Sequence, residues 1–162
     1  MFVLHVFFIV ALACLTSSSG EGIQPVSLCS LPFWELDGDC FYVHDTKLNW
    51  HDARHFCTSL SGDNSEETGL ATLKDCDQFS IIWQHLSTEF GPYGYWMGGT
   101  DEGQEGNWHW VTGESMPMGH PFWIHGQPHN HPEYNCMAYQ QNTGYFVGWS
   151  CENELYFLCQ EY

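Results

Sequence analysis

Tyr95-Trp96-Met97-Gly98-Gly99-Thr100-Asp101-Glu102-Gly103-Gln104-Glu105-Gly106-Asn107-Trp108-His109-Trp110 joins two short strand-like pieces, residues 95–97 and 108–111, through a polar, glycine-rich connection. Upstream the pattern changes to helical. Trp50, Ala53, Cys57 and Leu60 recur at helical spacing within residues 48–60, with Phe56 beside them and Asn49 placed to cap. A second helix is predicted where Phe79, Ile82, Trp83, Leu86 and Phe90 follow three- and four-residue steps, behind Asp75 or Asp77 as cap. Gly91-Pro92-Tyr93-Gly94 ends it. Residues 32–42 suit an early strand or hairpin, residues 61–69 a polar loop and residues 70–73 a short strand. Downstream lie three more strand-like pieces, 136–139, 145–149 and 156–159. Residues 112–135 carry no periodicity, and connections of that length are usually functional or disordered. Two helices followed by short strands and one long loop make an α+β domain.

Residues 1–20, MFVLHVFFIVALACLTSSSG, have an apolar run followed by small residues, which reads as a signal peptide without the usual basic start. The run is shorter than the roughly 20 residues a membrane-spanning helix needs, so no membrane span is expected. Residues 21–28 read as a short leader, and residues 29–162 as the domain. Aromatic residues make up 17% of the chain, enough to build a core. The net charge is −17, with only Lys47, Arg54 and Lys74 basic. Nucleic acid is therefore excluded as a partner, because phosphate binding needs basic side chains. An acidic shell suits solubility or cations such as calcium.

Removing the signal takes Cys14 and leaves Cys29, Cys40, Cys57, Cys76, Cys136, Cys151 and Cys159. In an exported chain disulfides are the expectation. No C-x-x-C spacing argues for a zinc ribbon, and the odd number leaves one thiol free or paired between chains.

In order, these features resemble the C-type lectin-like domain over residues 29–160. Trp50-His51-Asp52-Ala53-Arg54-His55-Phe56-Cys57 looks like that family's first helix. Tyr95-Trp96-Met97-Gly98-Gly99 resembles its W-I-G-L strand, and residues 100–110 its T-D-x-x-x-E-G-x-W-x-W stretch. Trp123 stands ahead of Gln127-Pro128, as in the family's Q-P-D or E-P-N tripeptide, and Cys136, Cys151 and Cys159 have family spacing. The resemblance implies a C-type lectin-like fold: two helices, small antiparallel sheets, a long loop region and disulfide staples. It implies the pairs Cys57–Cys159 and Cys136–Cys151, with Cys29–Cys40 as the extra pair of the long form. Cys76 is then left over, as a free thiol or a link to a second chain.

In sugar-binding members of that family, calcium sits in the long loop, held by the residues flanking the proline, a later Glu and the Asn-Asp of a W-N-D motif. Calcium takes about six to eight oxygen ligands. Here the tripeptide reads Gln127-Pro128-His129, and an imidazole offers only nitrogen. Glu133 could supply the later carboxylate, with Tyr134 contending for that place. The W-N-D place reads Phe146-Val147-Gly148, without a side-chain oxygen. The principal calcium site is expected to be absent or reshaped. An auxiliary calcium site is better kept, with Asp101 and Glu105 at two of its carboxylates and Asn130 and Asn135 where carboxylates often sit. The plainer reading has Asp101 capping a turn and Glu105 solvated.

His120, His125, His129 and His131 crowd the loop, where imidazoles suit zinc; scattered surface histidine is the plainer reading. His51-Asp52-Ala53-Arg54-His55 resembles the H-E-x-x-H zinc protease motif with Asp for Glu. Trp50, Ala53 and Cys57 claim the buried face, however, which turns both histidines outward. No hydrolase or phosphate-loop motif stands out, so the chain is expected not to be an enzyme. Trp108, Trp110 and Trp123 are expected in the core, with Tyr134 as a ring for stacking on a sugar. Two readings follow. One is a secreted lectin, extracellular, binding glycans or glycoproteins in innate immunity through Gln127, Pro128, His129, Glu133 and Tyr134. The other is a calcium-independent lectin-like module for a protein or mineral partner.

Overall fold

The computed structural model describes residues 28–61, 67–116, 122–140 and 142–162. The expected signal peptide, most of the leader and His120 lie outside the described residues.

A hairpin opens the domain. β1 (Trp34–Leu36) turns through Asp37 and Gly38, both at positive φ, into β2 (Asp39–Leu48). Helix α1 (Trp50–Ser59) begins as the sequence predicts: the Asn49 side chain accepts the Asp52 N–H at 2.9 Å. Its buried residues are Trp50, Ala53 and Cys57. After β3 (Thr68–Leu70) comes α2 (Cys76–Glu89), capped by the Asp75 carboxylate on the Asp77 and Gln78 N–H groups. α2 buries Ile82 and Leu86, but Trp83 is 43% exposed, so one member of the apolar repeat faces outward. In its stead Gln78 is buried and donates to Asp39 Oδ2 at 2.6 Å.

The remaining strands are β4 (Gly94–Thr100), β5 (His109–Trp110), β6 (Cys136–Gln140), β7 (Tyr145–Trp149) and β8 (Leu155–Glu161). The expected small antiparallel sheets join into one mixed sheet in the order β1-β2-β8-β4-β6-β7, with β3 on β8 and β5 on β4. The join is the parallel pair β4–β8, where Tyr95 faces Tyr156 and Trp96 faces Phe157. β4 is buried from Tyr95 to Thr100, because α1 and the following loops cover it. Gly98 shows how tight the cover is: a Cβ there would stand 2.6 Å from the Leu70 carbonyl oxygen. Trp50 Nε1 donates to the Met97 carbonyl at 2.8 Å and Trp96 Nε1 to the Leu48 carbonyl at 3.0 Å, so both of these buried indole N–H groups find a partner.

Three disulfides close the framework: Cys29–Cys40, Cys57–Cys159 and Cys136–Cys151. These are the pairs the resemblance implies. Cys76, at the start of α2, keeps an exposed thiol. Among the described residues no helix is long and apolar enough to cross a membrane.

Candidate functional site

The end of β4 delivers Thr100 and Asp101 into a turn that closes at Gly106. Asp101 is only 1% exposed. Its Oδ2 accepts the Gly106 N–H at 2.8 Å, and its own N–H donates to the Asn135 carbonyl at 3.2 Å. Thr100 Oγ1 donates to that carbonyl at 2.7 Å. Gly106 has φ +78°, and a Cβ there would meet Asn130 Oδ1 at 3.3 Å, so glycine gives both the turn and the room for Asn130. Asp101, Asn130 and Asn135 therefore converge on one turn. Glu105 lies in the same turn, exposed.

Two oxygens in this cluster lack partners. Asp101 Oδ1 and Asn135 Oδ1 are both buried without a hydrogen bond. Buried polar atoms are normally satisfied, and each orphan costs about 1–3 kcal/mol. Burial holds the Asp101 carboxyl above its ordinary pKa of 3.8, against the opposing pull of the Gly106 N–H, its own N–H and His109. A hard cation would relieve both orphans, and the donors here are all oxygens, as calcium prefers. The turn fits the auxiliary calcium site.

The tripeptide segment does not fit the principal one. Gln127 Oε1 turns inward and accepts two backbone N–H groups, from His129 at 3.2 Å and Gly148 at 3.1 Å. The Gln127–Pro128 peptide is cis. His129 is exposed and offers nitrogen. Val147 is 5% exposed and apolar. Gly148 has no side chain and packs against Trp108 and the Tyr134 carbonyl, which a Cβ would meet at 3.2 and 3.0 Å. One amide oxygen, already spoken for, cannot build a shell of six to eight.

What that segment presents outward is different. Tyr134 is half-buried, with its ring 4.9 Å from that of His131 and tilted by 30°. The Glu133 N–H donates to His131 Nδ1 at 3.3 Å, and the Glu133 side chain is exposed. Trp108, Trp110 and Trp123 are each 3% exposed or less, with Trp108 and Trp123 edge to face at 4.8 Å. The tryptophans are core, as the sequence suggests. Among the described residues, His125, His129 and His131 join no cluster of metal-binding side chains.

The family described as "Lectin C-type domain" matches residues 46–161. This chain belongs to the C-type lectin domain family. A perlucin-like protein of Mytilus galloprovincialis is 30% identical over 151 residues, covering 93% of this chain and 82% of that protein. Among solved structures, the C-type lectin CEL-I from Cucumaria echinata superposes with a TM-score of 0.73 at 18% identity, over 82% of this chain and 96% of that one. A calcium-independent type II antifreeze protein superposes with a TM-score of 0.68 at 18% identity, over 83% of this chain and 94% of that one. The C-type lectin domain is a ligand-binding unit without catalytic chemistry, and this chain is not an enzyme.

Asp101 and Asn135, which the family resemblance singles out, lie at one turn. The inward use of Gln127 was not legible in the sequence, because its partner Gly148 lies 21 residues away and donates through its backbone. No side-chain pattern reports such a contact.

Proposed function

We infer that this C-type lectin domain is a secreted, extracellular glycan-binding protein, acting in recognition of foreign or host glycans in innate immunity. The observation that carries the reading is the surface formed by exposed His129 and Glu133 with half-buried Tyr134, in a loop braced by Gln127. Tyr134 supplies a ring for the apolar face of a sugar. Glu133 and His129 supply hydrogen bonds to hydroxyls, and Pro128 with Gln127 holds the loop in place. Asp101, Glu105, Asn130 and Asn135 would hold calcium, whose positive charge would offset the buried oxygens of Asp101 and Asn135.

The second reading, a module for a protein or mineral partner, is favoured by the closed Gln127 and the apolar Val147. Glycan arrays decide between them when probed with calcium and again with chelator. The first reading expects glycan signal that Tyr134→Ala weakens. Absence of signal in both conditions overturns it and leaves the second. An intermolecular link through the exposed Cys76 belongs to either reading and is visible on non-reducing gels, where Cys76→Ser runs as monomer.

Asp101 gives a prediction with opposite signs. With millimolar calcium the wild-type melting midpoint rises, since a ligand bound only to the folded state stabilises it. Asp101→Asn abolishes that rise, yet without calcium it melts at or above the wild type, because a buried charge is gone while the Gly106 N–H keeps an acceptor. Differential scanning calorimetry reads both. A variant that keeps the calcium response removes Asp101 from the site.

A further inference from the structure

Asp101 follows one end of β4, and the other end opens on a recess of about 210 Å³ that the lectin reading leaves unused. β2 supplies His44 and Asp45 to its lining, the end of α2 Phe90, the next turn Tyr93, β4 Tyr95 and β8 Tyr156. From Tyr95 to Asp101 an extended strand runs about 20 Å. Among the described residues, the lining takes nothing from the calcium turn or from the loop carrying Gln127 and Tyr134.

The walls are mostly rings. Tyr93 and Tyr156 stand 5.0 Å apart with a tilt of 52°, and Tyr95 and Tyr156 stand 6.2 Å apart with a tilt of 37°, so the three are fanned rather than stacked flat. Tyr95 is 1% exposed and its hydroxyl donates to the Gly91 carbonyl at 3.2 Å, which fixes that ring, whereas Tyr93 is 47% exposed. An aromatic face attracts a cation within about 6 Å of its centroid. One such contact is present: Lys47 Nζ stands 5.1 Å from the Tyr156 centroid. Lys47 does not border the recess, which stays open to a cation from outside. Asp45 adds an exposed carboxylate at its rim, and the net charge of −17 draws cations to the surface.

The lining selects the kind of cation. A metal ion or a primary ammonium is strongly hydrated, and rings offer little to replace its water. A quaternary ammonium turns methyl groups outward and is the cation that aromatic cages take. The volume lies below the roughly 300–1,000 Å³ of sites for drug-sized molecules, so it suits a headgroup rather than an oligosaccharide. The geometry points to a binding site for a quaternary ammonium group of the choline type, seated on Tyr93 and Tyr156 with Asp45 as counter-charge. It does not depend on glycan binding.

Isothermal titration of choline into the folded, disulfide-intact chain tests it, at about pH 8, above the ordinary imidazole range. One choline per chain is expected, with the uncharged tert-butyl analogue of choline binding at least about tenfold more weakly. Tyr93→Leu keeps apolar bulk but removes a ring face, and is expected to weaken choline about tenfold. Tyr93→Phe and Tyr134→Ala leave the affinity unchanged. Tyr93 is half exposed, so an unchanged melting midpoint certifies the fold of its variants. Phosphatidylcholine vesicles separate the sources: sedimentation with them that Tyr93→Leu abolishes assigns a lipid headgroup, and choline binding without it assigns a free small molecule. No choline binding by the wild type overturns the site, as does equal affinity for the uncharged analogue or an affinity unaltered by Tyr93→Leu.

Discussion

Replacing Cys57 and Cys159 together by alanine is expected to remove about 4–5 kcal/mol of folding stability. The bond joins α1 to β8 across a sequence separation of 102 residues. In the chain-entropy account, the longer the loop closed, the more the unfolded ensemble is restricted. The Cys29–Cys40 bond spans only 11 residues, for which the same account gives just under about 3 kcal/mol. Small domains hold about 5–15 kcal/mol in all, so losing the long bond leaves the domain close to unfolding. Urea titration under non-reducing conditions compares the two double variants. If removing Cys29–Cys40 proves equally or more damaging, the loop-length ordering is wrong for this fold.

Trp50→Ala comes next, with an expected loss of about 3–5 kcal/mol. The indole is fully buried. Its Nε1 satisfies the Met97 carbonyl on β4, while its backbone N–H donates to the Cys151 carbonyl at 2.9 Å. Truncation opens a cavity between α1 and β4 and strips that carbonyl of its indole partner. For a domain of this size the melting midpoint falls by roughly 10–20 °C. Trp50→Phe separates the two effects: it keeps most of the apolar bulk and loses only the donor, about 1–3 kcal/mol. A Phe variant as unstable as the Ala variant would place the weight on the hydrogen bond instead.

The elements most legible in the sequence were those whose signals are local. Asn49 and Asp75 cap the helices they were expected to cap, and Trp50, Ala53 and Cys57 share one buried face. The piece read as residues 145–149 is a strand with those bounds. Less legible were features decided by distant partners. β2 runs on to Leu48 through the polar residues His44 to Lys47, because β8 pairs with it as far as Leu155. Gln78 is buried because Asp39, from the opening hairpin, meets its amide. The site divides the same way. Asp101 and Asn135 are singled out by the family resemblance, whereas the approach of His51 to Glu102 exists only once α1 is folded onto the sheet.

The pairing of β2 with β8 has a mechanical consequence. The register puts Cys40 opposite Glu161 and Tyr42 opposite Cys159, so tension on the two ends of the domain peels this pair open one rung at a time. Within two rungs the load reaches Cys159 and passes through the disulfide to Cys57. Cys29–Cys40 shortens the path on the other side. Only residues 40–57 and 159–162 can then pay out under tension, an extension of about 70 Å at roughly 3.5 Å per residue. The loop carrying Gln127, His129 and Tyr134, lying between the two bridged cysteines, stays off the load path and keeps its shape while the ends are pulled.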